Sequence, residues 1–141
     1  MINLCDYCRL TGNKEYFNEN KEYAKTVFAH INACIADDGN IEFVPSSGLA
    51  FFLDWPTCGT SDAVIGTAAL LIYAAKMYLK LEENEDCHAI VRKLASYLEE
   101  SCEFKQTRAF QILAGREQEN DAEFLEKGGA AGYSTFMSYY I

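Results

Sequence analysis

A chain of 141 residues in which half of the side chains are apolar is long enough for one domain and too apolar for general disorder. Its net charge of −9 argues against nucleic acid or an anionic membrane as the main partner, because both need a basic face. We therefore expect residues 1–141 to form a single folded domain with partners of another class.

The first third of the sequence predicts a helical hairpin. Asn3 to Leu10 is compatible with a short helix, and Thr11-Gly12-Asn13 then supplies a tight turn. From Lys14 to Ile35 apolar residues recur at helical spacing, which predicts an amphipathic helix. Asp37 to Asn40 ends that helix with further turn-forming residues.

Residues 41–58 differ from the rest, because two prolines interrupt them and no helical period survives. They predict one long ordered loop, which has to dock onto the chain or expose a large apolar patch. In it Asp54 stands beside Trp55, the only tryptophan. Asp54 is interpreted either as an acceptor for loop N–H groups or as an acceptor for a sugar hydroxyl, with Trp55 stacking on the ring.

The second half predicts more helices. They run from Ala63 to about Glu82, from Asp86 to Glu100, from Lys105 to Ala114 and from Asn120 to Lys127. The first follows the helix start Thr60-Ser61-Asp62 and is apolar on all sides as far as Ala75, which is typical of a buried helix. Gly128-Gly129 ends the last of them, and Ser134 is placed to begin another. We expect an all-α fold in which buried and amphipathic helices alternate.

Six cysteines leave disulfides, a zinc site or free thiols as alternatives. Cys5 and Cys8 have CxxC spacing, but a zinc site needs a second pair of ligands and the other cysteines are scattered singly. A chain of this length does not need disulfides to fold. The sequence predicts free buried thiols, no metal site and no cofactor.

The N-terminus and the apolar segments bear on location. Met1 to Asp6 lacks the basic start and long apolar run of a signal peptide. The stretch from Ala63 to Ala75 is shorter than the about 20 residues needed to cross a bilayer. As it stands, the sequence predicts a cytoplasmic protein without a membrane partner, and the location stays open if it is a fragment.

Four segments together resemble the six-hairpin (α/α)6-barrel glycosidases, most closely the bacterial α-L-rhamnosidase family. They are the hairpin from Tyr7 to Tyr16, the loop from Phe52 to Pro56, Lys105-Gln106 with its following helix, and Gly128-Gly129 to Tyr140. The resemblance implies helical hairpins that form a partial (α/α)6 toroid, an inverting glycoside hydrolase and a carbohydrate ligand. It also implies that Asp54 and Trp55 are substrate-binding residues.

The resemblance implies no catalytic residue, because the family's general acid and general base lie in motifs before and after the matched region. The acidic pairs Asp37-Asp38, Glu82-Glu83 and Glu99-Glu100 lie at helix ends, as exposed surface residues do. We therefore expect a fragment or truncated homologue of such a hydrolase that is inactive alone. The alternative is a non-catalytic helical binding or assembly module. An incomplete barrel leaves apolar faces uncovered, so we expect a homo-oligomer or association with the missing barrel halves.

Overall fold

The computed structural model describes residues 1–41 and 57–127. These residues are mostly helical and contain no strand, so the predicted all-α class is confirmed. Six α-helices occur in the described ranges: α1 Ile2–Thr11, α2 Lys14–Ala33, α3 Ser61–Leu79, α4 Glu85–Leu94, α5 Lys105–Leu113 and α6 Asp121–Glu126. A 3-10 helix at Ala95–Leu98 follows α4. Most of the predicted loop, with Asp54 and Trp55, and the segment from Gly128 onward lie outside the described residues.

The chain divides into two compact units. The first contains Met1–Val44 and Ala74–Lys93, and the second contains Pro45–Tyr73 and Leu94–Ile141. Helix α3 therefore gives its first part to the second unit and its last turns to the first. The prediction of a single domain stays a prediction.

The first unit begins with the predicted hairpin of α1 and α2. Gly12 ends α1 in the left-handed conformation with φ 67°, and its N–H donates to the carbonyl oxygen of Cys8 at 2.9 Å. Glycine adopts this conformation without the steric penalty that a Cβ would bring. Asn13 then caps α2, because its side-chain oxygen accepts a hydrogen bond from the N–H of Tyr16 at 3.0 Å.

The core of the first unit is aromatic. Phe17 and Phe28 are buried residues of α2, and Phe28 belongs to the helical spacing that the sequence predicts. The ring of Tyr78 in α3 packs against both, with centroid distances of 5.8 Å to Phe17 and 5.2 Å to Phe28. Such pairs add to the free energy gained from burial alone.

Helix α3 is longer than the apolar run that predicts it. Its 19 residues have a mean hydropathy of 1.4, which is long and apolar enough to cross a membrane by length and composition. The core helix of a soluble protein meets the same criterion, and 61% of this segment is buried inside the structure. The stretch from Ala63 to Ala75 is only part of this helix, and the expectation that the chain has no membrane partner stays a prediction.

In the second unit, Asp62 of α3 caps α5. Phe104, the first residue before α5, supplies no side-chain cap of its own. The carboxylate of Asp62 is 2% exposed and accepts hydrogen bonds from the N–H of Phe104 at 2.9 Å and of Glu103 at 3.2 Å. A carboxylate at a helix N-terminus satisfies orphan N–H groups and interacts favourably with the helix dipole.

Helix α4 ends earlier than predicted, because the chain tightens into the 3-10 helix after Leu94. The side-chain amide of Gln111 donates to the carbonyl oxygens of Tyr97 at 3.1 Å and Glu100 at 2.9 Å. These bonds satisfy carbonyl groups that have no partner at a helix end. Gln111 is more than ten positions from Tyr97 and Glu100 in sequence. Helical periodicity, which is local, therefore does not predict these hydrogen bonds.

Arg108 connects α5 with α6. Its Nε lies 2.9 Å from Oδ1 of Asp121, and its guanidinium lies 5.6 Å from the ring centroid of Phe124. Both members of the ion pair are buried, so losing one would leave an uncompensated charge.

We expect Asp62→Ala to lower the free energy of unfolding by about 1–3 kcal/mol, because two buried N–H groups lose a charged acceptor. Urea titration followed by far-ultraviolet circular dichroism measures this loss. Asp62→Asn keeps one acceptor oxygen and should retain part of the stability, and Glu100→Ala is an exposed control. An unchanged midpoint for Asp62→Ala would contradict the capping role.

Candidate functional site

The first unit contains a cavity of about 440 Å³ beside the turn between α1 and α2, which we term the hairpin pocket. Its walls come from the end of α1, the first turns of α2 and the segment that follows α3. The lining residues are Cys8, Gly12, Asn13, Lys14, Phe17, Asn18, Lys80, Leu81 and Glu82. This volume falls in the range of roughly 300–1,000 Å³ that is usual for small-molecule sites.

The turn positions one wall of the hairpin pocket. Because Gly12 and Asn13 reverse the chain within two residues, the end of α1 and the start of α2 border the same space. Phe17 contributes an apolar wall and is fixed from behind by the ring of Tyr78. Asn13 and Asn18 contribute amide groups, each of which can donate and accept hydrogen bonds.

The charges of the hairpin pocket are not balanced within its own walls. Oε1 of Glu82 lies 2.7 Å from Nζ of Lys25, and Oε2 lies 3.7 Å from Nζ of Lys21. The hydrogen bond from Lys25 lowers the pKa of Glu82, and the same bond raises the pKa of Lys25. In the part of the chain that the structure describes, Lys14 and Lys80 form no ion pair.

Tyr78 carries a buried hydroxyl next to this site. Its oxygen has no hydrogen-bond partner among residues 1–41 and 57–127, although the side chain is fully buried. Burial is the main cause that raises the pKa of Tyr78 to about 12, and the nearby carboxylate of Glu82 acts in the same direction. The phenol is therefore neutral at physiological pH.

All six cysteines are free, and Cys5, Cys8 and Cys87 are buried in the first unit. Cys58 is exposed, and Cys34 and Cys102 are half-buried, so the prediction of buried thiols is wrong for these three. Burial raises the pKa of Cys5 to about 11 and that of Cys87 to about 12, and it also raises the pKa of Cys8. The thiolate is the nucleophilic and metal-binding form, so the thiols of Cys5, Cys8 and Cys87 are unreactive at neutral pH. Residues 1–41 and 57–127 contain no group of three or more His, Cys, Asp or Glu side chains that could hold a metal ion.

The structure describes some of the residues that the sequence singled out, but not all of them. Asp54 and Trp55 lie outside the described residues, so their assignment to substrate binding stays a prediction. Among the acidic pairs, Glu82 borders the hairpin pocket, and Glu99 forms an ion pair with Arg116 at 2.8 Å. The sequence pattern does not predict the pocket, although the turn at Gly12 indicates one of its walls.

Comparison with known proteins gives no matching family model, no matching curated protein and no matching solved structure. The likeness to the α-L-rhamnosidase family therefore stays a prediction from the sequence.

We expect Tyr78→Phe to raise the free energy of unfolding by about 1 kcal/mol, because a buried hydroxyl without a partner costs about 1–3 kcal/mol of desolvation. Urea denaturation at pH 7 measures the difference, and Tyr97→Phe, which removes a hydroxyl from a partly exposed tyrosine, is the control. A destabilised Tyr78→Phe variant would show that the hydroxyl has a partner that stabilises the fold.

We expect the free energy of unfolding to fall as the pH rises above about 9. Unfolded thiols ionise near pH 8.5, whereas those of Cys5 and Cys87 stay protonated to about 11 and 12 in the fold. Between these values the folded state binds more protons, so stability present below pH 8.5 is lost as the pH increases. Urea titrations from pH 7 to pH 10 should show a shallower fall for Cys87→Ala than for the wild-type chain. Parallel pH profiles would exclude a contribution from this thiol.

Proposed function

We propose that this chain is a non-catalytic helical binding module that holds a small polar ligand of the carbohydrate type in the hairpin pocket. One observation carries the proposal: a cavity of about 440 Å³ in which an aromatic ring, amide groups and charged side chains border the same space. Small-molecule sites combine apolar walls with a few polar groups in this way.

The chemistry of the walls suits a hydroxylated ligand. A sugar hydroxyl both donates and accepts hydrogen bonds, and the amides of Asn13 and Asn18 can serve both needs. The ring of Phe17 and the side chain of Leu81 offer apolar surface for the C–H groups of a sugar ring. The same walls offer no nucleophile at neutral pH, because burial raises the pKa of the Cys8 thiol.

We further propose that the hairpins form part of an (α/α)6 toroid of the α-L-rhamnosidase type. Three features support this relationship: the two-residue connection between α1 and α2, the contact between α5 and α6, and the apolar helix α3. In this proposal, Asp54 and Trp55 bind a sugar of their own, and the chain alone does not hydrolyse glycosides. Turnover of an aryl α-L-rhamnoside by the purified chain, abolished by Asp54→Ala, would refute the inactivity.

Assembly is the second candidate role, and the exposed surface of the first hairpin favours it. Leu10 is 73% exposed and Tyr23 is 68% exposed, while the exposed rings of Tyr7 and Tyr16 pack edge to face at 5.0 Å. Large apolar side chains that cluster on a surface are typical of interaction sites. We propose that this surface supports self-association or contact with missing barrel halves. The cytoplasmic location stays a prediction.

We expect titration of the isotope-labelled chain with millimolar L-rhamnose to shift the amide resonances of residues that line the hairpin pocket. Asn18→Ala should weaken this binding several-fold, because an amide contact to the ligand is lost. Asn20→Ala changes the same residue type two positions away, outside the lining, and should leave the binding unchanged. A lack of response to L-rhamnose, D-glucose and acidic sugars would refute the binding role.

We expect light scattering at micromolar concentration to give a mass above that of the monomer. Replacement of Tyr16 and Tyr23 by serine should shift the mass toward the monomer, because the exposed apolar area falls. Glu119→Ser, an exposed change in the second unit, is the control. A monomeric wild-type chain would count against self-association.

A further inference from the structure

We infer that the ligand of the hairpin pocket carries an anionic group, a carboxylate or a phosphate, that Lys14 and Lys80 hold. The inference rests on the proposed binding function and adds the charge of the ligand to it. It assigns a specific role to two lysines that border one cavity and are not ion-paired within the described residues.

The carboxylate of Glu82 does not neutralise these two lysines. Its two oxygens lie 2.7 Å from Lys25 and 3.7 Å from Lys21, and neither lysine lines the pocket. The negative charge of Glu82 is thus matched from outside the cavity. Lys14 and Lys80 are thus the charged residues of the lining that Glu82 does not pair with.

This local excess of positive charge contrasts with the whole chain, which has 12 basic and 21 acidic residues and a net charge of −9. Glu15 and Glu19 also occur in α2, but they do not line the pocket. Burial keeps the thiol of Cys8 in its neutral form by raising its pKa, so it adds no negative charge. Lys14 and Lys80 both line this one cavity, so an anion bound there would lie near two positively charged residues.

The other lining residues indicate the chemistry of the uncharged part of the ligand. Phe17 and Leu81 offer apolar surface, and Asn13 and Asn18 offer amide groups that suit hydroxyls. An ammonium group forms short, charge-assisted hydrogen bonds with carboxylate or phosphate oxygens. The ligand class is therefore a hydroxylated small molecule with one acidic group, such as an acidic sugar or a sugar phosphate.

Isothermal titration of the full chain at low ionic strength tests the inference with three probes of one size class. The probes are D-glucuronate, D-glucose 6-phosphate and neutral D-glucose. We expect at least one of the anionic probes to bind about tenfold more tightly than D-glucose, since charge-assisted hydrogen bonds are about twice as strong as neutral ones. The two anions then distinguish a carboxylate ligand from a phosphate ligand.

Variants assign the effect to the two lysines. Lys14→Ala and Lys80→Ala should each weaken binding of the preferred anion about fivefold to tenfold and leave binding of D-glucose unchanged. Arg92→Ala removes one exposed positive charge in α4, outside the pocket, and controls for the net charge. Lys80→Gln removes the charge and keeps a polar side chain only one atom shorter, and circular dichroism checks the fold of every variant.

The outcomes separate the inference from the proposed function. Equal affinity for D-glucose and both anions would overturn the anionic ligand but leave the binding module in place. An equal loss of D-glucose and anion binding in the lysine variants would also overturn it, because the lysines would then contact the sugar body. No binding of any probe would refute both proposals.

Discussion

The reversal of the chain at Gly12 is the constraint on which the first unit depends. The left-handed conformation at φ 67° lets α2 begin at Lys14, with only Gly12 and the cap Asn13 between it and the end of α1. This short connection positions Phe17 against Tyr78 and leaves a cavity beside the turn. A side chain at Gly12 would meet nothing within 4 Å, so glycine is needed there for its backbone conformation and not for space.

The second constraint on the first unit is electrostatic. Lys21 and Lys25 hold Glu82, and this contact joins α2 to the segment after α3. A single partly exposed ion pair contributes little to stability, typically about 0–1 kcal/mol. The ion pairs of Glu82 matter here for the position of its carboxylate, which contacts lysines outside the pocket lining. The ligand charge that we infer therefore depends on which lysines already have a partner and which do not.

Hydrogen bonds and an ion pair of buried polar side chains stabilise the second unit. Asp62 caps α5, Gln111 satisfies carbonyl groups after the 3-10 helix, and Arg108 pairs with Asp121. Each interaction joins residues that are distant in sequence, which gives this unit specific contacts as well as burial. Such groups are expensive to bury without partners, so the loss of one partner should cost more than the loss of a surface contact.

The sequence alone determined the helical class, the hairpin turn at Gly12 and the free state of the cysteines, because these follow from local periodicity, turn chemistry and spacing. It also placed the start of α3 at Ala63, within two residues of the observed start at Ser61, but it extended the helix to about Glu82 where α3 ends at Leu79. Only the tertiary structure decided that α4 ends at Leu94, that Asp62 caps a distant helix and that Lys14 and Lys80 border one cavity. These outcomes depend on contacts between residues that are distant in sequence. Helical periodicity indicates which face of a helix is buried, but it does not indicate which residues that face contacts.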